Sequence, residues 1–179
     1  MKKWNVLKSS VVHKNPYFNV VEEEFLLSGG KTGKYYLIKV PDFVAVAAIE
    51  EDCIYLVEME RYTLGKRMLE IPMGGVEKGE TSLRAARREL REETGIRAKK
   101  LKKIGCLEAL KGRSSQRFTV FIAEGLSFGE QDLDDVEKDG GVRLVKMKIS
   151  EIPELIRKGK MTDSHTLAAF QLFMLNYKG

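Results

Sequence analysis

Three glutamates, Glu89, Glu92 and Glu93, fall within one helical turn of the segment GGVEKGETSLRAARRELREETGI, Gly74 to Ile96. On a helix, Glu89 and Glu92 are i,i+3 and Glu89 and Glu93 are i,i+4, so each pair shares a side. Like charges so placed cost about 0.2–0.5 kcal/mol per pair when exposed, and more when desolvated. Two readings account for tolerating that cost. One is a solvated acidic face balanced by Arg84, Arg87, Arg88 and Arg91. The other is a hard-cation site, in which carboxylate oxygens take Mg²⁺ or Mn²⁺ and the cation bridges to phosphate. The second reading also uses the glycines. Gly74-Gly75 lets the backbone pass close to a metal or phosphate, and Gly79 permits a tight loop that fixes Glu80 relative to the helix.

The elements that must hold these residues are legible around them. The spacing predicts a helix over about Ser82 to Glu93, capped by Thr81 or Ser82, stopped at Gly95, and buried along Leu83, Ala86 and Leu90. Upstream, Val6–Val12, Phe18–Leu27 and Lys34–Val40 read as strands, with a turn at Gly29-Gly30-Lys31. Phe43 to Ile49 is apolar without alternation, which predicts a strand buried on both faces. Glu50-Glu51-Asp52 turns it into Cys53–Val57, and a short strand through Leu69 and Ile71 enters Pro72-Met73-Gly74. Downstream strands are expected at Leu101–Leu110, Phe118–Ala123 and Val142–Met147, with a long acidic loop from Gly129 to Gly141. A short helix runs from Ser150 to Gly159. A last one starts at Asp163 or Ser164, and its Leu167, Phe170, Leu172, Phe173 and Leu175 should bury most of its girth. This order implies an α+β fold or an α/β/α sandwich.

Composition sets wider bounds. With 179 residues, 43% hydrophobic and 32% charged, the chain reads as one ordinary globular domain. The net charge of +5 suits an anionic small molecule, a nucleic acid or no charged partner. Cys53 and Cys106 are too few for a disulfide framework and read as core residues in a reduced cytoplasm. Met1-Lys2-Lys3 leads into no apolar stretch, so no signal peptide is expected, and no run reaches the roughly 20 apolar residues of a membrane helix. His13 and His165 lack metal-ligand spacing and read as structural or surface.

The glutamate segment resembles the Nudix box, G-x5-E-x7-R-E-U-x-E-E-x-G-U with U a bulky aliphatic. Gly74, Glu80, Arg88, Glu89, Leu90, Glu92, Glu93, Gly95 and Ile96 fill its defined positions. The resemblance implies a loop–helix–loop on an α/β/α sandwich with a mixed sheet and a small N-terminal antiparallel sheet. It also implies hydrolysis of a nucleoside diphosphate linked to another moiety, with Mg²⁺ or Mn²⁺ as cofactor. By match to the motif, Glu89, Glu92 and Glu93 would be the metal cluster. Arg88 would orient a box glutamate, and Glu80 would support the loop or share the metals.

The flanks resemble the subfamily of ADP-ribose and nucleoside diphosphate sugar pyrophosphatases. Arg61-Tyr62 and Glu70-Ile71-Pro72-Met73-Gly74 are similar to its "QYR … ELPAG" approach, with Met73 in place of alanine. There a backbone carbonyl at the Met73 position binds metal, so Met73 and Gly74 join the implied metal site. Lys111-Gly112-Arg113-Ser114-Ser115-Gln116-Arg117 is similar to the subfamily's substrate loop. Lys111 stands where proline is common, which broadens the implied range from ADP-ribose to GDP-mannose or ADP-glucose. Arg61, Glu70, Arg113, Ser115 and Trp4 are the substrate contacts the resemblance implies. The loop Glu130–Glu137 is similar to one that supplies the general base, with Glu137 first and Asp135 next. Lys160 to Leu167 is similar to the subfamily's "G-x-I-x-D-x-x-T" helix start.

The resemblance further divides the chain into residues 1–40, a β subdomain for dimerisation and the substrate pocket, and residues 41–179, the hydrolase domain. A homodimer is implied, with Trp4, Tyr17 and Phe18 as interface or base-stacking aromatics; core packing in a monomer is the alternative. Two other functions stay in view. A hydrolase of other diphosphates, such as RNA 5′ ends, is disfavoured because no basic stripe interleaves with aromatics. A catalytically silent nucleotide sensor has no need of the intact glutamates.

Overall fold

The computed structural model describes residues 4–177; Met1-Lys2-Lys3, read above for a leader, lie outside the described residues. The chain forms two compact units. One comprises the residues up to Asp42 with Glu108–Arg117; the other comprises Phe43–Leu107 and the chain from Phe118 onward.

The first unit is an antiparallel sheet of β1 (Asn5–Lys14), β2 (Asn19–Leu26) and β3 (Thr32–Lys39), in that order. The β1–β2 turn is set by Asn15, whose side-chain oxygen accepts the amides of Tyr17 and Phe18 at 2.8 and 2.9 Å. Gly30 turns β2 into β3 with a φ of 77°, a conformation that favours glycine. Val21 and Phe25 are buried in this sheet, and Trp4 stacks on Phe25 at 4.5 Å. The segment Glu108–Arg117 is fastened to it. Ile38 N–H donates to Arg113 O (2.8 Å), Tyr35 Oη to Gly112 O (2.7 Å), and Arg117 N–H to Asp42 Oδ1 (2.9 Å).

The second unit is built on a mixed sheet. Its elements are β4 (Phe43–Glu50), β5 (Cys53–Arg61), β6 (Lys66–Glu70), β7 (Met73–Gly75), α1 (Ser82–Thr94), β8 (Ile96–Glu108), β9 (Arg117–Phe128), α2 (Asp135–Asp139), β10 (Arg143–Lys148), α3 (Ile152–Arg157) and α4 (Ser164–Asn176). The strands run in the order β10-β5-β4-β9-β8, with β6 on β5 and β7 on β4. β4 pairs parallel with β9, Phe43 opposite Phe118, and antiparallel with β5 and β7. Val44 to Ala48 are fully buried, as the unalternating run predicts. Val44, Val46 and Ala48 share a core with Ala85, Ala86 and Leu90 of α1 and with Ile96 and Phe121. The intervening β4 residues turn to the opposite face, and α4 also lies against β4. This is the helix-flanked mixed sheet, with a separate small antiparallel sheet, that the sequence implies.

Several local expectations change. Leu83 is 43% exposed, and the buried side of α1 consists of small alanines with Leu90, Glu89 and Glu93, which lets the helix approach the sheet closely. Leu175 is 72% exposed and Leu167 and Leu172 are half-buried, because α4 turns only Thr166, Ala169, Phe170 and Phe173 inward. Cys106 is exposed on β8, the last strand of the sheet order, and Cys53 is half-buried, so neither is a core residue. β8 starts at Ile96, directly after the helix stop, and the acidic loop contains the short helix α2.

Candidate active site

β7 leaves the sheet beside β4 and turns through a loop into α1. Thr81 caps the helix, its hydroxyl accepting the Arg84 amide at 3.3 Å, and Gly95 ends it at φ 71°. Inside the loop, Glu77 N–H donates to Glu80 Oε2 (3.1 Å). Arg88 then joins loop to helix. It donates to Glu80 from Nε and Nη2 (3.2 and 3.0 Å), to Gly75 O (2.7 Å), and from Nη1 to Glu89 (2.7 Å) and Glu92 (3.1 Å). Those carboxylates hold the Arg88 guanidinium far above its ordinary pKa, Glu80 first among them. In return the Arg88 hydrogen bonds draw Glu80 below the usual carboxylate range. Glu80 thereby ties the loop to the helix.

Glu89 and Glu93 are buried, at 8% and 6% exposure. Burial pushes the Glu89 carboxyl up in pKa even though Arg88 opposes the shift. Burial pushes Glu93 well above its ordinary value, and the charges of Glu89 and Glu137 add to the effect. Glu93 Oε2 accepts one bond, from the Met73 amide at 3.0 Å, and Glu93 stands in no ion pair among the described residues. Gly74 lies so close to Glu89 that a Cβ there would run into the carboxylate. Among the described residues no three carboxylate, imidazole or thiol groups converge to hold an ion as the side chains stand. The donor set nevertheless suits a hard cation. It offers oxygens only; Arg88, which Glu80 already shares, pairs with Glu89 and Glu92, Arg91 pairs with Glu92, and Glu93 stands in no ion pair among the described residues.

Two supports flank this cluster. On one side, Arg61 grips the buried Glu70 with Nε and Nη2, at 2.9 and 2.5 Å. Next to Glu70, Ile71 N–H donates to the fully buried Thr166 hydroxyl at 3.2 Å. Asp163 caps α4 by accepting the Thr166 amide at 2.7 Å. On the other side, the acidic loop is tied to the C-terminal end of α1. Gly129 N–H donates to Gly95 O (2.9 Å), Gln131 Nε2 to Glu93 O (2.5 Å) and Asp132 N–H to Glu92 O (2.9 Å). The loop then enters α2 through a capping box: Asp134 Oδ1 accepts the Glu137 amide and Glu137 Oε2 accepts the Asp134 amide, both at 2.7 Å. The negative charge of Glu137 is felt at both Glu89 and Glu93. Asp135 is fully exposed and pairs with Lys138 at 3.8 Å.

The expected site residues thus fall into two groups. Arg61, Glu70, Met73, Gly74, Arg88, Glu89, Glu92, Glu93, Asp135 and Glu137 belong to the second unit, and Trp4, Arg113 and Ser115 to the first. In the first unit Arg113 and Ser115 are exposed, and it is the neighbouring Ser114 that is buried, its hydroxyl accepting the Gln116 amide at 3.0 Å. Residue-type reasoning gave no individual role to Gln131 and Asp132, and it reached Thr166 only as the threonine of the helix-start pattern. Thr166 carried a readable signal, as the third residue after a capping aspartate; Gln131 and Asp132 act through loop geometry and carried none.

The comparisons agree with this geometry. The chain matches the NUDIX domain over residues 40–170 and the nucleoside diphosphate sugar hydrolase N-terminal domain over residues 4–38. It is 35% identical over 154 residues to an ADP-ribose pyrophosphatase of Bacillus subtilis (strain 168), covering 86% of this chain and 83% of that one. It is 33% identical to a methanol dehydrogenase activator of Bacillus methanolicus, over 83% of this chain and 80% of the relative. A crystal structure of an ADP compounds hydrolase shares the fold with a TM-score of 0.86 at 21% identity, over 98% of this chain and 94% of that one. No helix among the described residues is long and apolar enough to cross a membrane. A box helix that buries two glutamates against a glycine loop, on a chain matched along nearly its whole length, belongs to the Nudix family, as a hydrolase of phosphoanhydride-bearing nucleotide compounds.

Proposed function

We propose that this enzyme cleaves the diphosphate of nucleoside diphosphate sugars to a nucleoside monophosphate and a sugar phosphate. ADP-ribose is the favoured substrate, and GDP-mannose and ADP-glucose fall within range. The observation that carries the reading is the burial of Glu89 and Glu93 together beside Glu137, with the nearby guanidinium already shared. Such a site is matched to divalent cations and to the diphosphate they accompany. The match of residues 4–38 to a nucleoside diphosphate sugar hydrolase domain, and the ADP-ribose pyrophosphatases among the relatives, support the choice of substrate.

Glu89, Glu92 and Glu93, with the backbone of Met73 and Gly74, are the residues we assign to hold Mg²⁺ or Mn²⁺. When bound, the cation offsets the diphosphate charge and makes a water more acidic. Glu137 would take the proton of the attacking water as its oxygen bonds to phosphorus; the bond from phosphorus to the bridging oxygen would break, and the sugar phosphate or nucleotide would leave. Glu137 Oε2 is engaged by the Asp134 amide, which leaves Oε1 to receive the proton. Arg88 keeps Glu89 and Glu92 in place, and Glu80 keeps Arg88 in place. Arg61 and Glu70 of the second unit are assigned to the substrate, and Trp4, Arg113 and Ser115 are the first unit's candidates for it.

Three variants test the assignment. Glu93→Gln should abolish most turnover of ADP-ribose with an unchanged far-ultraviolet spectrum. Glu137→Gln should lower kcat about 10²–10⁴-fold at unchanged metal affinity, the range for losing a general base. Asp135→Asn should stay near native. Full activity in Glu93→Gln removes the metal-site assignment, and a loss in Asp135→Asn with none in Glu137→Gln moves the base to Asp135.

A further inference from the structure

The arginines of α1 pose the problem of the glutamates with the sign reversed. Arg87 and Arg88 each lie three or four residues from both Arg84 and Arg91, so the four crowd one stripe of the helix. Arg88 is spent on Glu80, Glu89 and Glu92. Arg91 gives Nη2 to Glu92 (2.8 Å) and Asp132 (3.4 Å), while its buried Nε has no acceptor among the described residues. Arg84, Arg87 and Arg97 are exposed and stand in no ion pair among the described residues; Arg87 donates to the carbonyl of Ala98 at 3.1 Å. These five arginines, with Leu90, Ala98 and Leu101 as an apolar floor, line a groove of about 600 Å³.

We propose that this groove is a second ligand site, distinct from the diphosphate-cleaving cluster in its free arginines Arg84, Arg87 and Arg97 while adjoining it through Arg88 and Arg91, and that it takes a nucleoside phosphate. The guanidinium fork matches phosphate oxygens in pairs, and the positive charge of Arg84, Arg87 and Arg97, which stand in no ion pair among the described residues, is complementary to a phosphate chain. A small inorganic ion would leave most of the groove and its apolar floor unused. A base and ribose fill a volume of this order and cover the rim of the core that Leu90, Ala98 and Leu101 form there.

The test is calorimetric titration of the full-length protein with ADP in EDTA, where binding that requires a divalent cation is silent. ADP should bind, and the double variant Arg87→Gln/Arg97→Gln should weaken that binding about tenfold or more, as expected for losing charged phosphate contacts. The same variant should hydrolyse nucleotide sugars at near-native rates, and Glu93→Gln should bind ADP in EDTA as the native protein does. Pyrophosphate should bind far more weakly than ADP. Absence of metal-free binding, indifference of that binding to the double variant, or equal affinity for pyrophosphate would each overturn the proposal. Because the readout needs neither metal nor turnover, its failure is distinct from failure of the hydrolase reading.

Discussion

Glu93 is the residue on which the proposed chemistry turns. Its carboxylate is buried, repelled by Glu89 and Glu137, and held by one backbone amide. Alone that arrangement is unfavourable, and under the proposed assignment it would become a source of affinity once divalent charge arrives. The same reasoning explains Gly74. No side chain other than hydrogen leaves space for the Glu89 carboxylate. Gly74→Ala should therefore displace Glu89 and raise the Mg²⁺ concentration needed for half-maximal activity, while far-ultraviolet circular dichroism stays native. An unshifted Mg²⁺ dependence would show that Glu89 tolerates the methyl group. At this scale the sequence is informative where a residue's type is its function. The spacing of Glu89, Glu92 and Glu93 alone puts them on one side of a helix. The sequence is silent on Gln131 and Asp132, whose contribution is where the loop puts them.

At the scale of elements, α4 and β6 steady the approach to the site. Thr166, at the start of α4, holds the amide of Ile71 between Glu70 and the metal loop, and Asp163 fixes Thr166. Burial alone would raise the Asp163 carboxyl, but hydrogen bonds from His165 and from the amide and hydroxyl of Thr166 outweigh it and lower the pKa to about 2 from 3.8. The sign follows from a depressed folded-state value. The stabilisation is complete above about pH 4 and is lost as pH falls through about 2, and it amounts to about 2 kcal/mol. Asp163→Asn keeps a capping side chain, so between pH 4 and pH 2 its urea midpoint should fall less than that of the native chain. Equal falls would place the acid sensitivity elsewhere. The elements themselves were legible from apolar pattern and caps: β4 from its unbroken apolar run, α1 from Thr81 and Gly95. The depth of each face was not. Leu83, Leu175 and Cys106 are exposed because burial depends on which neighbour covers an element, and the sequence of the element does not record that neighbour.

At the scale of the whole molecule, β1 is the outstanding feature. It is an edge strand of its sheet, yet Val6, Leu7, Val11 and Val12 leave their apolar side chains about half exposed, with the register against β2 shifting at both pairs. Edge strands with apolar faces invite pairing, and we expect a second copy of the chain to cover this one. Sedimentation equilibrium should give twice the 20.3 kDa chain mass, and Leu7→Lys with Val12→Lys should reduce it to the single mass. A native monomer would contradict the dimer.

The central claim is that this fold hydrolyses the diphosphate of a nucleotide sugar. Its most direct test is incubation of the native protein with ADP-ribose, ADP-glucose and GDP-mannose, with Mg²⁺ or Mn²⁺ or with EDTA, and chromatography of the nucleotides released. The account predicts metal-dependent release of nucleoside monophosphate, fastest from ADP-ribose and absent in EDTA. No monophosphate from any of the three with either cation would contradict it.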